Sequence, residues 1–262
     1  MKLIRHLMIF GYHQALSCIF PLVIFITLAC SKFVTVSFLY RYDLILLVCL
    51  LTQLVLLLTK IETIDEFKVI CLFHLLGLLL EIYKIHMGSW AYPEHAWTKV
   101  FGVPLYSGFM YASVASYMCQ AWRRLNLQLK NWPSIKLVWI LSLAIYLNFF
   151  THHFILDIRW LLVIVILVLF FKTTVSFSLK NTTYKMPLVL SFLLIGFFVW
   201  IAENISTYFG AWQYPNQQHG WELVGLGKIS SWVLLVIVSF IAVAQLKFVK
   251  EQKNQMSGSI EA

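Results

Sequence analysis

The chain has 262 residues, of which 61% are hydrophobic and 12% are charged, and its mean hydropathy is +0.82. Soluble domains have roughly twice that share of charged residues, so the polar side chains are too few to cover a water-soluble core. The formal net charge of +9 does not indicate nucleic-acid binding, because Lys and Arg are spread over short segments between apolar runs and form no single basic patch. These features predict an all-α membrane protein whose surface is largely covered by lipid.

Eight apolar segments are long enough, or nearly so, to cross a bilayer as helices, a crossing that takes about 20 residues. In chain order they lie at about 11–31, 42–59, 67–86, 103–122, 134–151, 158–177, 186–207 and 223–247. The sequence therefore predicts a polytopic helical bundle of about eight transmembrane helices.

A polar motif interrupts this apolar sequence twice. The pattern E-x6-G-x-W-x-Y-P begins at Glu81 and again at Glu203, at the ends of the third and the seventh apolar segments. We therefore expect two parallel four-helix repeats related by an axis along the membrane normal. The first would cover 1–126 and the second 127–248, followed by a polar cytoplasmic tail at 249–262.

Basic residues predict how the bundle is inserted. Lys and Arg are concentrated in the N-terminal segment, in the connections after the second, fourth and sixth apolar segments, and in the C-terminal tail. They far outnumber the basic residues of the other connections, and such an excess is typical of cytoplasmic connections. Both termini are therefore predicted to be cytoplasmic, and both motif copies to lie on the outer face.

The two glutamates are the strongest candidates for chemistry. Carboxylates within hydrocarbon are costly, so they usually face the bundle interior and have functional roles. Lys84 lies one helical turn after Glu81, and Lys228 lies near the start of the eighth segment, so we expect these lysines to be the charge partners of Glu81 and Glu203. The candidate substrate-binding residues, which lie on the same helix faces or in the motifs, are His74, Trp90, Tyr92, Asn204, Trp212 and Tyr214.

Two structural interpretations of the motif remain open. Trp and Tyr after a helix are typical of an aromatic belt at the membrane–water boundary, where glycine ends the helix and proline prevents its continuation. The two glutamates are also compatible with a polar clamp that holds the halves together. Repetition does not separate these interpretations, because duplication copies structure and function alike.

Other patterns give weaker indications. His152 and His153 with Asp157 could suggest a metal site, but adjacent residues on a helix point to different sides, so a structural or solvated role is favoured and no metal site is predicted. The five cysteines lie within or beside apolar runs and form no C-x-x-C pair, which indicates buried thiols. No cofactor is predicted, and the expected partners are the lipid bilayer and a lipophilic small molecule.

Several sequence blocks resemble a known family. The blocks are GSWAYPE at 88–94, VPLYSGFMY at 103–111, NFFTHH at 148–153, DIRW at 157–160, AEN at 202–204, AWQYP at 211–215 and KISSW at 228–232. Over roughly residues 60 to 245 the chain resembles the bacterial integral-membrane family catalogued as domain of unknown function 817. The resemblance implies a multi-pass protein of the bacterial cytoplasmic membrane, and it implies no activity, because none is assigned to that family.

A looser similarity concerns the motif alone. An acid followed by G-x-W-x-Y looks like the motif of the membrane-embedded heterodimeric lycopene cyclases and the related carotenoid hydratases, which act on long polyenes by protonation. This chain lacks their paired Pro-Glu-Glu signature and has only Pro93-Glu94.

These observations lead to three hypotheses. In the first, Glu81 and Glu203 are general acid and base for an isoprenoid or another lipid, and the motif aromatics stabilise a carbocation through cation–π contacts. In the second, the two halves rock around a central site and carry a small solute, which predicts helices broken near the membrane midplane. The third is a non-catalytic membrane scaffold.

Overall fold

The computed structural model describes residues 2–33 and 38–260, and it is mostly helical. In chain order the helices are α1 (Lys2–Ser17), α2 (Ile19–Phe33), α3 (Arg41–Leu58), α4 (Ile64–His86), α5 (Tyr106–Arg124), α6 (Ile135–Thr151), α7 (Arg159–Leu169), α8 (Leu188–Tyr208) and α9 (Lys228–Ile260). A 3₁₀ turn covers Pro215–Gln217. α9 continues as a helix through most of the expected tail, and the last two residues of that tail, 261–262, lie outside the described residues.

Two small antiparallel sheets add to the helices and correct the all-α prediction. β1 (Lys99–Val100) and β2 (Val103–Pro104) form a hairpin after the first motif copy. A second sheet has the order β3-β4-β5 and consists of β3 (Gln128–Lys130), β4 (Thr174–Leu179) and β5 (Thr182–Pro187). α1 lies against this second sheet, where His6 Nδ1 is 2.5 Å from the Tyr184 hydroxyl.

The sixth expected span, 158–177, is wrong in its second half. α7 ends at Leu169 after 11 residues, which is roughly 17 Å of helix. Val175 and Phe177 then lie in β4, because β-branched and aromatic side chains alternating with polar ones favour a strand. Lys180, at φ 53°, makes the tight turn into β5.

Among the described residues, four helices are long and apolar enough to cross a membrane: α3, α4, α8 and the Lys228–Phe248 part of α9. α1 and α2 would add a fifth crossing if they formed one span, but the two are bent by 67° at their junction. α6 and α7 are apolar but shorter. The chain is therefore compatible with a helical membrane protein, while the expected eight transmembrane helices are not confirmed.

α5 accounts for part of this difference. It occupies nearly the position of the fourth expected span, 103–122, yet it is not one of the apolar spans. α5 lies at the centre of the bundle, in contact with α1, α2, α3, α4 and α9, and most of its side chains are buried. Because other helices cover α5, its polar residues Ser113, Ser116 and Gln120 are buried within the protein.

Two helix pairs position the motif copies: α4 packs on α5, and α8 packs on α9. Glycines permit the close approach in both pairs. A Cβ on Gly108 would lie 2.7 Å from the His74 carbonyl oxygen, and a Cβ on Gly196 would lie 2.5 Å from Val233. The C-terminal ends of α4 and α8 meet at one end of the bundle, which we call the motif end.

The opposite end of the bundle holds a buried ionic cluster where α4 begins. Thr63 and Glu66 form a capping box at the start of α4. The Glu66 carboxylate also binds Lys247 of α9 at 2.7 Å and Arg123 of α5 at 3.2 Å. These contacts tie three helices together far from the motif end.

Candidate functional site at the motif end

Both motif copies end their helices in the same way. Gly88 and Gly210 take left-handed conformations, at φ 67° and 74°. The next residues, Ser89 and Ala211, each donate the backbone N–H to a carbonyl five residues earlier at 2.9 Å. This is the Schellman ending, and it confirms the expected glycine stops.

The two copies meet through their backbones. Ala91 N–H donates to the Gln213 carbonyl and Gln213 N–H donates to the Ala91 carbonyl, both at 2.9 Å, in an isolated antiparallel bridge. These residues occupy equivalent positions, between the Trp and the Tyr of each motif. An antiparallel pair of equivalent residues has local twofold symmetry, so the two motif glutamates lie on either side of one junction.

Glu81 is buried, and its carboxylate accepts three hydrogen bonds. Trp90 Nε1 and the Tyr92 hydroxyl donate to Oε2 at 2.7 and 2.9 Å, and the Tyr111 hydroxyl of α5 donates to Oε1 at 2.7 Å. The Glu, Trp and Tyr of the first motif copy are thus one hydrogen-bonded unit. Burial, and then the Glu81 charge, raise the pKa of Tyr92 well above its ordinary value, which keeps this hydroxyl protonated as a donor.

Glu203 is also buried and accepts two hydrogen bonds. The Tyr214 hydroxyl donates to Oε1 at 2.5 Å, as the equivalent tyrosine does to Glu81, and Trp232 Nε1 of α9 donates to Oε2 at 2.7 Å. The equivalent tryptophan of this copy, Trp212, is buried beside Tyr214. The indole that donates to Glu203 is that of Trp232 on α9. Burial, and then the Glu203 charge, raise the pKa of Tyr214.

Lys228 connects the two copies through aromatic rings. Its Nζ lies 4.6 Å from the ring centre of Tyr214 and 5.4 Å from that of Trp90, and these two rings touch edge to face with centres 5.9 Å apart. Within the described residues no ion pair of 4.0 Å or less joins Lys228 to a carboxylate. Lys228 thus forms no direct ion pair with Glu203; its charge still acts on Glu203, and its cation–π contact is with the tyrosine that binds Glu203.

We call this group the carboxylate–aromatic cluster. Its members are Glu81, Trp90, Tyr92, Tyr111, Glu203, Tyr214, Lys228 and Trp232.

Lys84 does not form the expected ion pair with Glu81. Its Nζ lies 3.2 Å from His152 Nε2 and 3.1 Å from His153 Nε2. His152 caps α6 and His153 lies in the turn that follows, so two adjacent histidines reach one atom, which helical geometry would not allow. Burial, and then the Lys84 ammonium, lower the pKa of both histidines, so both favour the neutral form that accepts a hydrogen bond from Lys84.

Besides Trp212, two predicted binding residues lie outside the cluster. His74 packs its ring against Phe109 of α5, with ring centres 4.5 Å apart. Asn204 Oδ1 accepts a hydrogen bond from Val224 N–H at 2.9 Å, and its Nδ2 donates to the Trp200 carbonyl at 2.9 Å. Helix packing and loop anchoring explain these two positions.

Sequence reasoning missed Tyr111 and Trp232 as site residues. They lie 30 and 29 residues after the glutamates that they bind, each on the helix packed against its glutamate's helix. A signal was present, because each residue ends one of the sequence blocks that resemble the family. The similar spacing from each glutamate could have identified both.

The carboxylates are closed within the protein. One surface cleft of about 320 Å³ lies along the end of α8, beside Trp200, Tyr208 and Trp221. Another of about 450 Å³ lies along α4, beside Tyr83 and Phe101. Neither of these two clefts is lined by Glu81 or Glu203. Both side chains are buried, so a ligand would reach them only after a side-chain movement.

Comparison with known proteins identifies the family. The family described as "Protein of unknown function (DUF817)" matches residues 6–240. The uncharacterized protein YoaT of Bacillus subtilis (strain 168) is 60% identical over 252 residues, which is 96% of each chain. No solved structure matches the chain. The chain therefore belongs to the DUF817 family.

Proposed function

We propose that the protein is a multi-pass membrane protein in which Glu81 and Glu203 form one acid–base site for a lipophilic molecule, such as an isoprenoid or another lipid. The observation that carries the proposal is the convergence of two buried carboxylates on one aromatic junction. Each glutamate is bound by the tyrosine of its own motif, and Lys228 lies over the rings of Trp90 and Tyr214 from the two copies.

The chemistry of the cluster suits proton transfer to an apolar substrate. One glutamate in its protonated form would donate a proton to a substrate double bond, and the other would accept a proton from a neighbouring carbon. The reaction balances without an oxidant or a reductant. The ring faces of Trp90 and Tyr214 already attract the Lys228 cation, and the same faces would stabilise positive charge that develops on the substrate.

Entry to the site requires that Trp90 and Lys228, which are only partly buried, move aside. Gly225 and Gly227 precede Lys228, and no atom lies within 4 Å of the place where a Cβ would stand on either glycine. The segment that leads into α9 therefore has room to shift. We propose that this shift opens the cluster toward the lipid.

The membrane setting is part of the proposal. We place the protein in the bacterial cytoplasmic membrane, with both termini in the cytoplasm and the motif end on the outer face, because the basic residues are distributed in that way. The paired helices α4–α5 and α8–α9, with an equivalent glutamate on the first helix of each pair, support two parallel repeats.

The alternative functions have less support. A carrier with a site between the repeats predicts helices broken at that site, whereas α4 and α8, which carry the two glutamates, run without interruption over 23 and 21 residues. The bent pair α1–α2 contributes no residue to the cluster. A scaffold predicts that the carboxylates serve only as a polar clamp, so their loss would lower stability without changing any lipid.

The test compares membrane lipid extracts from a deletion strain complemented with the unaltered protein, with Glu81→Gln/Glu203→Gln, or with Glu222→Gln as a matched control. Glu222 is an exposed carboxylate outside the cluster. We expect one lipid species to accumulate in the deletion strain and in the double variant, at equal protein levels by immunoblot. Unchanged lipids together with altered solute uptake would support the carrier, and unchanged lipids with unchanged uptake would support the scaffold.

A further inference from the structure

Lys84 is a buried cation without a counter-ion in direct contact. Within the described residues, no carboxylate lies within 4.0 Å of its Nζ, and the side chain is almost fully buried. His152 Nδ1 lies 3.0 Å from the Asn148 carbonyl, so Nδ1 carries the proton and Nε2 is free to accept from Lys84. The ammonium has three N–H donors, and His152 and His153 take two of them, which leaves one donor for another acceptor.

The charge of a second cation, Arg159, acts on Lys84. Arg159, at the start of α7, binds Asp157 through Nη2 at 3.0 Å, but its buried Nε has no hydrogen-bond partner. Arg159 and Lys228 are close enough to repel the Lys84 ammonium, and Asp157 is the carboxylate whose charge favours it. Asp157 is itself engaged by Asn148 at 3.1 Å and by the Arg159 backbone N–H at 3.0 Å. The site therefore has unused donors and an excess of positive charge.

The surface next to these donors is apolar. The turn that carries His153 continues into Phe154, Ile155 and Leu156, whose side chains are 73%, 62% and 83% exposed, and Trp160 on α7 is 68% exposed. Exposed apolar side chains next to a cationic site match a ligand with an anionic head and an apolar body. Inorganic phosphate would use the cations but not the apolar surface.

We propose that Lys84, His153 and Arg159 bind the phosphate of a lipid headgroup, whose acyl chains lie against Phe154–Leu156 and Trp160, while His152 holds the Lys84 ammonium in place. A phosphate has several acceptor oxygens, so it can accept from an ammonium and a guanidinium at the same time. His153 accepts from Lys84 through Nε2, so its Nδ1 carries the proton. When the exposed His153 ring turns outward, a phosphate oxygen reaches Lys84 and the Nδ1–H donates to the same phosphate. This site goes beyond the acid–base proposal and does not require chemistry at Glu81 or Glu203.

The test follows the melting temperature of the purified full-length protein in dodecylmaltoside by tryptophan fluorescence. The protein is titrated with short-chain phosphatidic acid, with the matching diacylglycerol, and with inorganic phosphate. We expect only phosphatidic acid to raise the melting temperature. Lys84→Met/Arg159→Gln should need about tenfold more phosphatidic acid, or more, for the same rise, because two charge-assisted hydrogen bonds are lost.

Matched variants separate binding from folding. Lys32→Met removes an exposed cation at the motif end and should leave the titration unchanged. His153→Gln replaces an exposed ring that contacts Lys84 and should weaken the effect even if the double variant folds poorly. Glu81→Gln/Glu203→Gln should keep the full effect, which distinguishes this site from the acid–base proposal. An unchanged titration in both Lys84→Met/Arg159→Gln and His153→Gln, or an equal rise with diacylglycerol or inorganic phosphate, would overturn the inference.

Discussion

Tyr111 of α5 lies directly over Gly77 of α4, where a Cβ would come within 2.5 Å of the Tyr111 ring. The hydroxyl of the same tyrosine donates to Oε1 of Glu81, one turn further along α4, at 2.7 Å. The missing side chain at position 77 thus sets how closely Tyr111 crosses α4, and with it the position of a donor in the carboxylate–aromatic cluster. Helix packing and the candidate site depend on one another through these two residues.

Gly77→Ala is therefore expected to destabilise the protein by about 1–3 kcal/mol, the usual cost of overpacking a core, because the Tyr111 ring must move away. Thermal unfolding in detergent measures this loss. Gly11→Ala is the matched control, since no atom lies within 4 Å of its Cβ position in α1. The control should be neutral or stabilising by up to about 1 kcal/mol, and equal melting temperatures of the two variants would contradict the prediction.

Tyr214→Phe is expected to cost more stability than Tyr92→Phe. Loss of the Tyr214 hydroxyl removes the hydrogen bond that Glu203 Oε1 accepts, whereas Glu81 Oε2 still accepts from Trp90 when the Tyr92 hydroxyl is removed. A buried oxygen that loses its donor costs about 1–3 kcal/mol, against about 1 kcal/mol for an average hydrogen bond. Melting temperatures of the two variants check the order, and the reverse order would disprove it.

Glu62, in the turn between α3 and α4, should make stability depend on pH. Burial raises its pKa above the ordinary 4.5, although hydrogen bonds from Ser116 and Gln53 oppose the shift. A carboxyl group with a raised pKa in the folded state holds its proton more tightly when folded. The loss of stability caused by ionising Glu62 is therefore absent below pH 4.5 and grows as the pH rises through the pKa of the folded state.

Glu62→Gln removes this titration. Between pH 4.5 and neutral pH, the melting temperature of the unaltered protein should fall relative to that of Glu62→Gln. The exposed Glu222→Gln variant should follow the unaltered protein. Parallel curves for the unaltered protein and Glu62→Gln would show that this carboxyl is not the cause.

Replacement of Arg41 by lysine should lower the stability of the protein. Its guanidinium binds Glu94 at 2.6 Å, the Gly210 carbonyl at 3.2 Å and Ser31 Oγ at 3.1 Å, so it joins α2 and α3 to both motif loops. A single ammonium cannot reproduce this fork of donors, and Arg41→Lys is expected to cost about 1.5–3 kcal/mol. Lys32→Met, which also loses a bond to a carbonyl at the end of α8, should have a smaller effect on thermal unfolding because that lysine is exposed. A melting temperature unchanged by Arg41→Lys would exclude this role.

The proposed orientation is tested with two exposed asparagines at opposite ends of the bundle. In a cysteine-free background, Asn216→Cys near the second motif copy should react with a membrane-impermeant thiol reagent in intact cells. Asn181→Cys, in the turn between β4 and β5, should react only after the cells are opened. The opposite labelling would place the motif end in the cytoplasm.

Local sequence patterns identified most residues of the site but not their hydrogen-bond partners. The i, i+3 spacing correctly shows that Lys84 and Glu81 are close on α4, but Tyr111 and Trp90 provide donors to Glu81, while Lys84 contacts two histidines of another helix end. Spacing restricts which residues can touch within a helix. It carries no information on a competing donor 30 residues away.

Hydropathy predicted the wrong structure at two places in the chain. α5 has polar side chains because it is covered by protein, and residues 174–187 form a hairpin although the preceding residues are apolar. An apolar run of this length is compatible with a strand or a helix, and long-range pairing decides between them.

The sequence by itself determined the apolar helical character of the chain, its family, the glycine ends of α4 and α8, and the doubled Glu and Tyr of the motif. These features follow from hydropathy and backbone preference, which are local. Only the tertiary structure decided that Ala91 pairs with Gln213, that Trp232 completes the site of Glu203, and that Lys228 lies over rings of both copies. Those choices depend on which of many compatible surfaces come together when the helices pack, and no local pattern contains them.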